Sequence, residues 1–274
     1  MCATANELEV AFFQQDIVWE SPEENYRRVE DAFQNARADI LVVPETFSTG
    51  FGNNMAAMAE DPRGETYHFA VSMARQHDAL FVGTWTVREH GKVWNRLHWV
   101  RPDGTLGHYD KGHTFRMSSE ATQLARGTKR ETFEWKGWRI RPAVCYDLRF
   151  PLWLRNRNLA PTTKEVAPVP EDLNPCLDYD LLLVCANWPA SRHEAWTTLL
   201  KARAIENQCY VVGVNRVGTD GIGIAYSGNS MVVDYMGAAV AEAEPGKSCT
   251  IVATMDKEDL VRFRKHWPFW LDAD

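Results

Sequence analysis

The chain has 274 residues, of which 45% are hydrophobic and 24% are charged, a balance typical of a soluble globular protein. Its 30 basic and 37 acidic residues give a net charge of −7 without long runs of one sign, which disfavours a nucleic-acid groove or a patch for acidic membranes. The 6 cysteines form no C-x-x-C pair and no cluster with histidine, so a zinc site and a disulfide framework are disfavoured as well.

The beginning of the chain, from Met1 to Leu8, lacks a basic stretch followed by an apolar core. No apolar run approaches the roughly eighteen residues that a membrane-spanning helix needs. We therefore expect a cytoplasmic protein in a reducing compartment, without nucleic-acid or membrane partners.

Strands alternating with helices are predicted along the chain. In the first half they are a strand over 8–13, a helix over 22–38, a buried strand over 39–43, a helix over 64–77, a strand over 79–86 and a hairpin over 93–101 and 105–110. In the second half they are a hairpin over 132–135 and 138–145, a strand over 181–186, a helix over 193–208 and strands over 209–215, 230–234, 238–243 and 249–255. Ser21 and Glu24 predict a capping box at the start of the first helix.

The stretch from 158 to 178 interrupts this order. It contains 4 prolines and several charges, which indicates a surface insertion on an otherwise compact domain. We accordingly predict one domain over residues 1–274.

Cys145 is the most informative residue, because it ends an apolar strand run and precedes Pro151, which suits the first turn of a helix. In a tight bend between a strand and a helix, nearby backbone N–H groups lower the pKa of a thiol and can stabilise an oxyanion. A lone cysteine is also often a small buried hydrophobic residue. Position alone leaves both interpretations open.

Glu45 and Lys111 follow apolar strand runs in the same manner as Cys145. Functional sites of open α/β sheets lie outside the carboxyl ends of the strands, where these three residues would supply a base, a cation and a nucleophile. Taken singly, Glu45 could cap the next segment and Lys111 could be an exposed charge. The joint pattern favours catalysis.

Three segments resemble the catalytic boxes of the nitrilase superfamily, in its order and approximate spacing: Pro44-Glu45-Thr46-Phe47, Tyr109-Asp110-Lys111-Gly112-His113 and Val144-Cys145-Tyr146-Asp147-Leu148-Arg149-Phe150-Pro151. Further matching segments begin at Ala186, Ala202, Asn215 and Tyr226, so the resemblance spans about 8–253. It implies a four-layer α-β-β-α sandwich built on two mixed β-sheets, a homodimer or higher homo-oligomer, and chemistry without a metal or an organic cofactor.

The segments Phe115-Arg116-Met117, Asn187-Trp188-Pro189 and 214–221 are most similar to the bacterial YafV-like omega-amidases. That similarity implies hydrolysis of the terminal amide of short 2-oxo dicarboxylic acid monoamides such as 2-oxoglutaramate and 2-oxosuccinamate. Two features depart from the family pattern. Many relatives carry a bulkier residue near Gly112 or Thr114, and the stretch over 158–178 is longer than in compact members.

The resemblance also implies roles for the catalytic residues. Glu45 takes the proton of Cys145, whose thiolate attacks the amide carbonyl and forms a thioester. Lys111 and the backbone N–H of Tyr146 stabilise the oxyanion. Glu120 matches the second glutamate of the family and would position Lys111 and the substrate amide, although a plain surface carboxylate is the alternative.

Substrate contacts are expected from six residues: Phe115, Arg116, Arg149, Asn187, Trp188 and Arg192. The arginines are candidates to bind the substrate carboxylate, because a planar guanidinium matches it. Arg149 could instead form a structural salt bridge, and Phe115 and Trp188 could be ordinary core residues. Other possible functions are hydrolysis of another small amide or an N-carbamoyl compound by the same triad, or ligand binding without catalysis.

Overall fold

Two six-stranded β-sheets carry the fold. The computed structural model describes residues 6–159 and 175–272. Its strands are β1 Glu7–Gln14, β2 Ile40–Val42, β3 Leu80–Glu89, β4 Lys92–Val100, β5 Leu106–Asp110, β6 Phe133–Trp135, β7 Trp138–Val144, β8 Leu181–Ala186, β9 Tyr210–Asn215, β10 Val217–Thr219, β11 Ala225–Ser227, β12 Met231–Val233, β13 Ala239–Glu242 and β14 Cys249–Asp256. Its helices are α1 Pro22–Phe33, α2 Glu65–His77, α3 Glu120–Gln123, α4 Pro151–Leu154, α5 His193–Asn207 and α6 Lys257–His266.

Both sheets are mixed. The first has the strand order β14-β1-β2-β3-β4-β5, with β1, β2 and β3 parallel and the outer pairs antiparallel. The second has the order β13-β12-β9-β8-β7-β6, with β7, β8 and β9 parallel. The predicted α/β class with two mixed sheets is confirmed. Every residue of β2, β8 and β9 is buried, as expected for parallel strands that are covered on both faces.

Successive side chains of a strand point to opposite faces of its sheet. The buried hydrophobic residues therefore form three packed layers. Val10 and Val42 of the first sheet pack with Leu183 and Val212 of the second, so this core lies between the sheets. The opposite face of the first sheet packs on α1 through Phe33 and on α2 through Met73. The outer face of the second sheet packs on α5 through Trp196, Leu200 and other residues. The layers therefore follow the predicted α-β-β-α order.

Several local predictions need correction. The first helix ends at Phe33 and does not reach residue 38. The predicted capping box is wrong, since the Ser21 side chain makes no capping bond, and Glu24 instead accepts hydrogen bonds from Arg27 and Arg28. The strands β10 and β11 were not predicted, because three-residue strands carry too few residues for a period to show. The helix α6 was not predicted either.

The predicted insertion over 158–178 lies outside the described residues except at its ends. There Leu159 N donates to the carbonyl of Cys176 at 2.7 Å, and Asp178 N donates to that of Arg157 at 3.0 Å. The residues at the two ends of this stretch therefore lie next to each other. Among the helices within 6–159 and 175–272, none is long and apolar enough to cross a membrane.

Candidate active site

Four site residues follow the ends of strands in the two sheets. Glu45 comes three residues after β2, and Lys111 directly follows β5 of the same sheet. Cys145 and Asn187 directly follow the neighbouring parallel strands β7 and β8 of the second sheet. The site therefore forms where the strand ends of both sheets meet, as sites of α/β sheets commonly do.

The thiol of Cys145 lies in a strained turn. Cys145 has a φ of 44°, in the left-handed region that few non-glycine residues adopt. Cys145 directly follows β7 and begins a 3-10 helix over Cys145–Arg149, and α4 follows with Pro151 in its first turn. The bend that the sequence predicts at this position is present. It also places the N–H of Tyr146 in the first turn of a helix, where N–H groups lack an intrahelical acceptor.

The carboxylate of Asp147 fixes this turn from within. Its Oδ2 accepts hydrogen bonds from Val144 N at 3.1 Å and from the hydroxyl of Tyr109 at 2.8 Å. Its Oδ1 accepts from the backbone N and Nδ1 of His113, each at 2.8 Å. Asp147 is fully buried, so these donors replace the water that an ionised carboxylate would otherwise require.

A buried lysine lies between two buried carboxylates. The Nζ of Lys111 donates to Oε1 of Glu45 at 2.9 Å and to Oε1 and Oε2 of Glu120 at 2.9 and 3.0 Å. All three residues are at most 1% exposed. Glu120 Oε2 also accepts from the backbone N of Phe115 at 2.6 Å. Glu120 is therefore not a surface carboxylate, and it contacts Lys111 directly.

Two asparagines complete the surroundings of Glu45. Asn187 donates its backbone N–H to Glu45 Oε2 at 2.9 Å, and its carbonyl oxygen lies 3.8 Å from Sγ of Cys145. Its side chain donates to the Glu45 carbonyl at 2.6 Å and to Thr46 at 2.9 Å. Asn95 donates from Nδ2 to Oε1 of Glu45 at 2.8 Å and to Oε1 of Glu120 at 3.1 Å. The side chain of Asn187 thus holds the Glu45 segment.

Asn95 was not among the residues predicted from the sequence. The signal that could have found it is its place in β4, where Val93, Asn95 and Leu97 share a buried face. A polar side chain on such a face needs a hydrogen-bonding partner in the interior.

Burial and charge set the protonation states in the site. Burial raises the pKa of the Cys145 thiol well above its ordinary value, the charge of Glu45 acts in the same direction, and Lys111 opposes them. Burial alone would lower the pKa of Lys111, but the charges of Glu120 and Glu45 outweigh it and raise this pKa. The resting site therefore holds a neutral thiol and a charged ammonium, and the thiol needs a base before it can attack.

A cavity of about 240 Å³ opens above the thiol. Eight of the residues proposed from the sequence line it: Lys111, Phe115, Cys145, Tyr146, Arg149, Asn187, Trp188 and Arg192. Glu45 and Glu120 lie buried behind Lys111. Arg116 is exposed and does not line the cavity. Further walls that the sequence analysis did not identify come from Phe51, Met117, Ile222, Ile224 and Tyr226.

Two arginines border this cavity. The guanidinium of Arg149 lies 4.8 Å from the ring centre of Trp188, and that of Arg192 lies 5.7 Å from the ring centre of Phe115. Within 6–159 and 175–272, neither forms an ion pair with a carboxylate. The structural salt bridge considered for Arg149 is thus absent from these ranges. The two guanidinium groups remain able to bind an anion in the cavity.

Known proteins share both the sequence and the architecture of this chain. A family model described as carbon-nitrogen hydrolase matches residues 9–265. The chain is 40% identical to an omega-amidase YafV of Yersinia enterocolitica over 97% of each chain. It is 30% identical to a 2-oxoglutaramate amidase of Bacillus subtilis over 96% of each chain.

A solved structure is similar as well. A CN-hydrolase superfamily protein of Xanthomonas campestris, with an arsenic adduct in its active site, matches with a TM-score of 0.90 and 39% identity over 98% of each chain. The family model and these full-length relatives agree with the resemblance found in the three catalytic segments. The chain belongs to the carbon-nitrogen hydrolase family.

Proposed function

We propose that the protein is an omega-amidase-like hydrolase that converts short 2-oxo dicarboxylic acid monoamides, 2-oxoglutaramate or 2-oxosuccinamate, to the dicarboxylate and ammonia. The observation that carries the proposal is the arrangement of Glu45, Lys111 and Cys145 at a cavity bordered by Arg149 and Arg192. The similarity to full-length relatives named as omega-amidase and 2-oxoglutaramate amidase supports the choice of substrate.

In the proposed acylation step, Glu45 takes the proton of the Cys145 thiol and the thiolate attacks the amide carbon. The oxyanion that forms is stabilised by the ammonium of Lys111 and the N–H of Tyr146. Glu45 then gives its proton to the amide nitrogen, the C–N bond breaks and ammonia leaves. The acyl group remains on Cys145 as a thioester.

In the proposed deacylation step, Glu45 takes a proton from water, which attacks the thioester. The thiolate leaves, the dicarboxylic acid is released and the thiol regains its proton. General base catalysis contributes roughly 10²–10⁴-fold, and one oxyanion donor about 10²–10³-fold. Loss of the nucleophile should therefore have the largest effect.

The distal carboxylate of the substrate is assigned to Arg149 and Arg192. They are the two predicted arginines that line the cavity, whereas Arg116 does not. The walls around them are largely aromatic and aliphatic, including Phe115 and Trp188, and a surrounding of low polarity strengthens charge-assisted hydrogen bonds.

The test is ammonia release by purified, reduced protein from 2-oxoglutaramate, 2-oxosuccinamate, a neutral aliphatic amide and an N-carbamoyl amino acid. We expect the two 2-oxo amides to have the highest kcat/KM, and Cys145→Ala to abolish turnover. Cys249→Ala is the matched control, because Cys249 is a partly buried thiol on β14 that does not line the cavity.

Two results would contradict the proposal. Absence of turnover for every short amide would exclude the reaction, and equal or faster turnover of the carbamoyl compound would exclude the substrate. Mass spectrometry of quenched reactions should show the acyl group on the peptide that contains Cys145.

The other expectations from the sequence are proposals of the same kind. They are a homodimer or higher homo-oligomer, one catalytic domain over 1–274, a cytoplasmic location and catalysis without a cofactor. Sedimentation velocity tests the oligomeric state, and limited proteolysis tests the domain boundaries.

A further inference from the structure

Asn95 completes a closed ring of hydrogen bonds in the buried cluster. Oε1 of Glu45 accepts from Lys111 Nζ at 2.9 Å and from Asn95 Nδ2 at 2.8 Å. Oε1 of Glu120 accepts from the same two donors, at 2.9 and 3.1 Å. Two acceptors and two donors therefore alternate, and the lysine and the asparagine each join both carboxylates.

The amide nitrogen of Asn95, and not its amide oxygen, binds the carboxylates of the cluster. Asn95 is 1% exposed, and its Oδ1 is buried without a hydrogen-bond partner among the described residues. A buried amide oxygen without a partner is unfavourable, so its packing alone does not account for an asparagine here. Only the amide nitrogen can face two carboxylate oxygens, because an amide oxygen would be repelled by both.

The position of Asn95 on the backbone reinforces this arrangement. Its carbonyl accepts the N–H of Lys111 at 3.0 Å, so one residue of β4 binds the backbone of the catalytic lysine and both carboxylates that surround its ammonium. The cluster carries two carboxylates for one lysine. The N–H groups of Asn95 compensate part of the excess negative charge without adding a titratable group.

We propose that Asn95 is a positioning residue, which holds the carboxylates of Glu45 and Glu120 beside Lys111 and so keeps Glu45 in place to act as the base. This inference rests on the proposed function only in giving Glu45 that task. The other titratable groups that face the pair are Lys111, Cys145 and Cys185. Burial raises the pKa of Glu120 in spite of Lys111, and the hydrogen bond that Glu120 accepts from the neutral amide of Asn95 opposes this effect.

The decisive measurement is the pH at which the carboxylate pair takes up a proton. Protein labelled with [5-¹³C]glutamate would be titrated by NMR, with Glu45→Gln and Glu120→Gln assigning the two resonances. We expect Asn95→Ala to move the midpoint upward by about one pH unit, because a hydrogen bond to a charged group is lost. Asn95→Asp should move it further, since it adds a third carboxylate.

The kinetic readout is the acidic limb of the kcat/KM profile for 2-oxoglutaramate. In Asn95→Ala the limb should move upward with the NMR midpoint, so that the loss of activity shrinks as the pH rises. Asn54→Ala is the matched control, because Asn54 Nδ2 donates to Glu20 Oε1 at 2.9 Å in an exposed position. If Asn95→Ala does not fold, Asn95→Ser replaces it, since the shorter side chain cannot span both carboxylates.

The outcomes separate this inference from the proposed function. An unchanged midpoint, together with an activity loss that is equal at every pH, would show that Asn95 has only a packing role and overturn the inference. If wild-type protein hydrolysed no short amide, the proposed function would fail. The NMR titration would still decide whether Asn95 controls the protonation of the pair.

Discussion

The hydroxyl of Tyr109 donates a hydrogen bond of 2.8 Å to Oδ2 of Asp147, and both side chains are buried. Tyr109 lies in β5 of the first sheet, two residues before Lys111, and Asp147 lies two residues after Cys145 in the 3-10 helix that follows β7 of the second sheet. This bond therefore connects the segment that carries the cation with the turn that carries the nucleophile. The distance between the Lys111 ammonium and the Cys145 thiol is therefore fixed by a buried hydrogen bond.

Replacing Asp147 should destabilise the protein and misplace the thiol. In Asp147→Ala four donors lose their acceptor, and we expect the free energy of unfolding to fall by about 3 kcal/mol or more, because buried donors are left unpaired. Urea unfolding measures the change. Asp103→Ala is the control, since exposed Asp103 accepts from Thr105 N in a surface turn, and it should leave stability and activity unchanged. Equal unfolding curves for the two variants would refute the role of Asp147.

Glu45→Gln should impair chemistry far more than folding. The amide oxygen can still accept hydrogen bonds from Lys111 and Asn95, but it cannot take the thiol proton. We expect kcat/KM to fall by roughly 10²–10⁴-fold, whereas the stability should fall only modestly, because the N–H of Asn187 loses its acceptor at Oε2. Glu24→Gln removes an exposed carboxylate paired with Arg27 and should retain full activity. Full activity of Glu45→Gln as well would rule out Glu45 as the base.

The two arginines should act on binding of the substrate carboxylate. In Arg149→Met and Arg192→Met we expect KM for 2-oxoglutaramate to rise by about 10- to 100-fold, as the loss of a charge-assisted hydrogen bond predicts. Turnover of a neutral amide of similar length should change little. Arg116→Met is the control, because Arg116 lies outside the cavity. A larger effect of Arg116→Met on KM would assign the carboxylate to a different surface.

Asp180 lies away from the active site, and its ionisation should make the free energy of unfolding depend on pH. Burial would raise its pKa, but Arg264, Lys257 and Arg139 outweigh burial and lower it below the ordinary value of 3.8. A lowered folded pKa stabilises the native state above pH 3.8, and this contribution is lost as the pH falls through the folded pKa.

Asp180→Asn should therefore reduce the free energy of unfolding at pH 7 by about 3 kcal/mol, because it leaves the buried Arg264 without its partner. The difference from wild type should narrow as the pH drops below 3.8. Denaturant titrations at several pH values measure it, and a difference that stays constant down to pH 2 would contradict the assignment.

Much of the site could be predicted because its residues follow recognisable strands. Continuous apolar runs mark the buried strands, so Glu45, Lys111 and Cys145 could be placed at strand ends, and the structure brings them together. The position of Arg116 outside the cavity that Arg149 lines could not be predicted, for a physical reason. Neighbourhood along the chain does not tell which way a side chain points, and Arg116 points to solvent.

Other parts of the site depend on contacts that no local pattern specifies. The role of Asn95 can be recognised only once the two carboxylates beside it are known. The cavity walls at Phe51, Ile222 and Ile224 come from connecting segments, whose path is set by packing on distant residues. The indole of Trp19 packs against Gly52 and Gly221, where a Cβ would lie 2.1 and 2.4 Å from its ring atoms. These glycines let two walls of the cavity approach one side chain.

The division of the site between two sheets has a consequence for biosynthesis. The carboxylates, the lysine and Asn95 all belong to the first 120 residues, whereas Cys145 and Asn187 come later. A nascent chain therefore emerges from the ribosome with its base and cation but without its nucleophile. The first sheet itself is completed last, because β14 pairs with β1 at its edge. Both sheets can therefore be assembled only after nearly the whole chain has been synthesised, and the complete site forms late.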